Sequence, residues 1–121
     1  MAQLATLTRD PAPATAIDRG HLARMTFGDR SLERELLQLF DRQAEILIAR
    51  MRGAEAAAIV TLAHTLKGSA AGIGAGSVAS AAEAAELAAI RSPADCRLAI
   101  DRLAKAADET RAFIAELLRE H

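Results

Sequence analysis

The chain has 121 residues, which suits one domain and leaves little room for a second. Hydrophobic residues make up 51% of it, aromatics only 2% with no Trp or Tyr, and the net charge is −1, so the basic stripe and stacking aromatics of a nucleic-acid binder are missing. Cys96 is the single cysteine, which excludes an internal disulfide and a cysteine metal cluster. The apolar content is mostly Ala and Leu, a mixture that favours helix over strand.

Residues 1–15 carry Pro11 and Pro13 among Ala and Thr and read as a loose tail ahead of one folded unit, 16–121. The opening stretch lacks a basic start followed by an apolar core, so no secretory signal is expected. The longest uncharged run, Gly68 to Ala82, is glycine-rich and shorter than the roughly 20 apolar residues a bilayer needs. A soluble cytoplasmic protein is the default expectation.

A first short helix is predicted from Asp18, whose carboxylate can cap free amides, to about Thr26. Gly28 and Asp29 punctuate. A long helix over about 30–52 follows, with Leu32, Leu36, Leu39, Phe40, Ile46 and Leu47 as its apolar face and Gly53 as its end. The third helix spans about 54–72, where Gly72, Gly74 and Gly76 break the chain, and the fourth about Ser77–Ile90. Ser92-Pro93-Ala94-Asp95 starts the fifth: Ser92 as cap, Pro93 at the first helical position, Asp95 at the positive helix end. Ala99, Leu103, Ala106, Thr110, Phe113, Ile114 and Leu117 keep helical spacing to the C-terminus. No strand signal appears. Short links force antiparallel neighbours, so the expected fold is all-α: an antiparallel up-down four-helix bundle with an additional short N-terminal helix.

The third helix carries the chemistry. With each residue turning about 100°, Leu62, Ile73, Leu66 and Ile59 fall roughly 160–220° from His64. The imidazole should therefore point into solvent. Its own face holds Val60, Thr61, Lys67, Gly68 and Ala71, small or uncharged apart from Lys67, where an ordinary solvent face is rich in Glu, Lys and Arg. Gly68 costs helix stability, roughly 1 kcal/mol against Ala, while clearing room one turn after His64. A neutral imidazole has one free lone pair and can attack a phosphoryl group. Lys67, three residues on, can offset the charge it brings. Taken alone, a lone exposed histidine is more often an ordinary surface residue.

The stretch His64-Thr65-Leu66-Lys67-Gly68-Ser69-Ala70-Ala71-Gly72-Ile73-Gly74-Ala75 resembles the signature of histidine-containing phosphotransfer (HPt) domains, roughly H-x-L-K-G-[SA]-[SA]-x-x-[hydrophobic]-G. Ile17-Asp18 with Phe27-Gly28-Asp29 resembles the family's opening helix and turn, and Leu36 to Phe40 its second helix. Glu86 falls where the family often has an acidic or amide residue. Gly72 departs from the pattern, standing where a polar residue is frequent. The resemblance implies a phosphorelay carrier. His64 would be phosphorylated by a receiver-domain aspartate or a sensor (hybrid) histidine kinase and would pass the group to another response-regulator receiver. Lys67 would stabilise the phosphoryl group, Gly68 would give partner access, and Glu86 would orient Lys67. No cofactor is implied, the divalent metal belonging to the receiver, and the chain has no room for an ATP-binding kinase domain. Val60, Thr61 and Ala71 are the expected docking residues, and Leu22 and Met25 of the first helix can add apolar area beside them, with core packing the equal or better reading of those two. A reading of another class is a non-catalytic helical adaptor that binds a receiver or kinase through the same surface.

Other signals are weaker. The glycines do not make a P-loop, because Lys67 precedes them. Asp18 and His21 share a face as a metal pair would, but capping explains Asp18 better. Cys96, near a helix start, is expected to be buried, and His121 to be disordered.

Overall fold

A computed structural model describes residues 16–120; the tail expected over 1–15, and His121, lie outside the described residues. Among the described residues five α-helices follow in order: α1 (Arg19–Met25), α2 (Arg30–Met51), α3 (Ala56–Ile73), α4 (Gly76–Arg91) and α5 (Cys96–Glu120), with a 3-10 turn, Pro93–Asp95, ahead of α5. No strand occurs among the described residues. The four long helices pack in a ring, α2 on α3, α3 on α4, α4 on α5 and α5 back on α2, while α1 lies against α3. This is the antiparallel four-helix bundle with an added N-terminal helix.

Local chemistry sets the boundaries. Asp18 caps α1 by accepting from the His21 amide at 3.0 Å, and Asp29 caps α2 by accepting from the Leu32 amide at 3.0 Å. The fifth helix begins differently from expectation. The Ser92 hydroxyl donates to the Asp95 carboxylate at 2.8 Å instead of accepting from a backbone amide, and Pro93 opens a 3-10 turn that leads into α5. The glycines at the third junction are also not equivalent. Gly72 lies within α3 and Gly76 opens α4, and of the three Gly74 alone has a left-handed backbone, with φ 82°.

The core joins Ile17 and Leu22 to Leu37, Phe40, Met51, Leu66, Val78, Leu103 and Ile114. Between α3 and α4 it is built largely of alanine: Ala63 and Ala70 face Ala82 and Ala85, all wholly buried. Small contact residues put two helices at the short end of the usual 8–10 Å separation. That closeness lets side chains on the outer rims of α3 and α4 meet. On the far side, Arg111 donates to Asp41 at 2.8 Å and Arg52 to Asp101 at 2.8 Å, fastening α5 to α2. No described helix is long and apolar enough to cross a membrane.

Candidate functional site

His64 and Lys67 lie one turn apart on the outer rim of α3, and Glu86 faces them from α4. His64 Nδ1 is 3.1 Å from Glu86 Oε2, and Lys67 Nζ is 3.1 Å from Glu86 Oε1. One carboxylate thus holds both side chains, one on each oxygen. The imidazole is 67% exposed, whereas the Glu86 side chain is only 16% exposed. The Lys67 ammonium beside it, supported by the bond to His64, holds the Glu86 carboxyl below its ordinary range against the opposing pull of burial.

This geometry fixes the tautomer. An ionised carboxylate can only accept, so Nδ1 must carry the proton it shares with Glu86. In the neutral ring the free lone pair then sits on Nε2. The imidazole is consequently held at one nitrogen and bare at the other.

Gly68 is exposed on the same rim, and a Cβ built there meets nothing within 4 Å. Thr61 and Ala71 are exposed and Val60 is half-buried along this face. Met25 of α1 is exposed. Leu22, expected beside it on the docking surface, is instead a core residue, 1% exposed. The α1 capping pattern turns Leu22 inward against the bundle and Met25 outward.

Sequence reasoning tied Glu86 to Lys67 only and missed its bond to His64. The signal was present in the alanines: a helix pair with so little between its axes lets a glutamate reach across to a neighbouring rim. The role of His21 was missed too. Its Nε2 donates to the Gly72 carbonyl at 3.0 Å, which, with the Asp18 amide on the Gly74 carbonyl at 2.8 Å, ties α1 to the end of α3. Asp18 serves as a cap, and no group of three or more potential metal ligands occurs among the described residues. Cys96 is buried, and burial pushes its thiol pKa up.

Comparison with known proteins places the chain in a family. Neither the curated proteins nor the solved structures yield a match. The family model for the Hpt domain matches residues 34–118, well over half of the chain, and spans His64, Lys67, Gly68 and Glu86. The chain therefore belongs to the Hpt domain family, whose work is histidine phosphotransfer in two-component signalling with receiver domains and kinases.

Proposed function

We propose that this protein is a phosphorelay carrier in which His64 Nε2 takes a phosphoryl group from a receiver aspartate or a kinase and delivers it to another receiver. The observation that carries this reading is the division of labour on the ring: Nδ1 bound to Glu86, Nε2 open to solvent.

The step balances simply. With a receiver aspartate as donor, the Nε2 lone pair attacks phosphorus in line, the N–P bond forms, and the acyl phosphate's P–O bond breaks, releasing the aspartate carboxylate; with a kinase phosphohistidine as donor, the bond that breaks is the donor's P–N bond and its imidazole leaves. The Nδ1 proton stays in place, so the phosphorylated ring carries positive charge, which Glu86 stabilises. Lys67 is one turn away on a flexible stem and can shift from Glu86 toward the phosphoryl oxygens. The site supplies nucleophile, orientation and counter-charge. In this reading the divalent metal is carried by the receiver. The bare surface at Gly68, bordered by Thr61, Ala71, Val60 and Met25, is where the receiver docks.

Incubation with a set of receiver domains charged by acetyl phosphate tests the reading. The expected result is an acid-labile, base-stable label on this chain that is lost in His64→Gln with the fold intact. Substituting Lys67 with Ala should slow transfer or shorten the life of the phosphorylated form. Receiver binding unchanged by His64→Ala, together with no label on any receiver mixture, would favour the adaptor reading.

A further inference from the structure

The Glu86 clamp sets the side from which a partner reaches the ring. The two nitrogens point to opposite sides of an imidazole, and Nδ1 of His64 is turned to Glu86 on α4. Nε2 therefore points away from α4. A receiver bonded to it sits over the outer face of α3 and the flank beyond, which belongs to α2, the helix packed on the other side of α3.

That flank of α2 is apolar and uncovered. Asp41 and Glu45 reach Arg111 of α5, so the helix turns its opposite flank toward α3. Leu32, Leu39 and Ile46 lie on this second flank and are 37%, 54% and 50% exposed. At seven-residue spacing they drift by only about 20° per step and form one straight stripe. The sequence places all three on the apolar face of α2, but the bundle closes on Leu37, Phe40, Ala44, Leu47, Ile48 and Met51 instead.

The face around the ring carries almost no charge with which to tell partners apart. Lys67 is the one permanently charged side chain of α3, and Glu86 holds it. Charge reappears on the outer crest of α2. Glu35 is four residues before Leu39 and Arg42 three after it, each within about 60° of it around the helix. Both are exposed, and neither forms an ion pair among the described residues. They stand about 10.5 Å apart along the axis, at the rim of the apolar stripe.

We propose that Glu35 and Arg42 select which receiver is served, a role that rests on the carrier function of His64. A receiver that is served presents an apolar centre to Leu39, a Lys or Arg to Glu35 and an Asp or Glu to Arg42, its two charges about 10.5 Å apart. A receiver with that pair reversed meets two like-charge contacts and is refused. Because the two charges differ in sign, they also fix which way round the receiver lies along α2, and so whether its aspartate comes to Nε2.

Phosphoramidate separates the ring from the docking surface. This small donor gives its phosphoryl group to Nε2 as its own P–N bond breaks and ammonia leaves, with no protein to dock. The parent chain, Glu35→Lys, Arg42→Glu and the double variant should all take label on His64 at the parent's rate. They should also unfold near the parent's temperature, since both side chains are exposed. Labelled carrier is then mixed with the receivers that the parent serves. Each single variant should slow transfer at least about fivefold at low salt, and by less in about 0.5 M NaCl, where exposed charges are screened. The double variant, with its charge order reversed, should be slower still on these receivers and should change their ranking. Transfer that neither variant alters, or that falls equally for every receiver at every salt concentration, would overturn the selection while leaving the carrier intact. A His64 that takes no label from phosphoramidate or from any receiver would remove the carrier reading, and the selection with it.

Discussion

At Gly68, midway along α3, an added Cβ would meet nothing within 4 Å. At Gly74, just past the end of the same helix, it would press on the Asp18 backbone oxygen at 3.0 Å and its Cβ at 3.1 Å. Both positions lack a side chain, but the space at Gly74 is filled by the chain's own N-terminal segment, and the space at Gly68 is left empty. Gly74 also has a positive φ, which an L side chain tolerates poorly. The second glycine therefore serves the fold, whereas the first is free of any such demand and, in the proposed reading, serves the surface on which a partner docks.

Substitutions should separate these two roles. The largest expected effect on stability is from Gly74→Ala, which combines a left-handed backbone with a clash against main-chain atoms. It should cost about 2–4 kcal/mol in urea unfolding. Gly68→Gln should slow phosphoryl transfer with a receiver at least about tenfold, or roughly 1.4 kcal/mol, with no loss of stability. Gly68→Ala should stabilise the protein by up to about 1 kcal/mol, because it removes a helix-interior glycine without a clash. If Gly68→Ala destabilised the chain, or Gly74→Ala did not, the contrast between the two positions would be lost.

The smallest effect concerns Glu86, whose carboxyl is held below its ordinary value of 4.5. A lowered folded value means that its ionisation favours the folded state fully above pH 4.5, and that this contribution is lost as pH falls through the lower value. Comparing unfolding of the parent chain and Glu86→Gln across this window should show their charge-dependent difference shrinking toward acid. Transfer by Glu86→Gln should persist but slow, since an amide can still accept from Nδ1 yet offers no charge to the phosphorylated ring.

The helical order was legible because Ala and Leu at three-four spacing admit few alternatives and because Asp18 and Asp29 are strong caps. The exposed side of α3 was legible from one helix alone: Ile59, Leu66 and Ile73 had to face inward, so His64 could not. What escaped was whatever depends on a second element. Leu22 reads equally well as core or surface until α1 is placed on α3. Leu32, Leu39 and Ile46 look like core until the bundle closes on the adjacent stripe of α2. Ser92 looks like a cap until Asp95 claims its hydroxyl. The Glu86 bond to His64 spans 22 residues and depends on how closely four alanines let α3 and α4 approach.

The most direct test reads the ring itself. Long-range proton–nitrogen NMR of the phosphorylated, 15N-labelled protein distinguishes the two imidazole nitrogens. Phosphorus on Nε2 of His64, with the proton retained on Nδ1, is the expected result. Phosphorus on Nδ1, or on a different residue, would contradict a site in which Glu86 occupies one nitrogen so that the other is free to react.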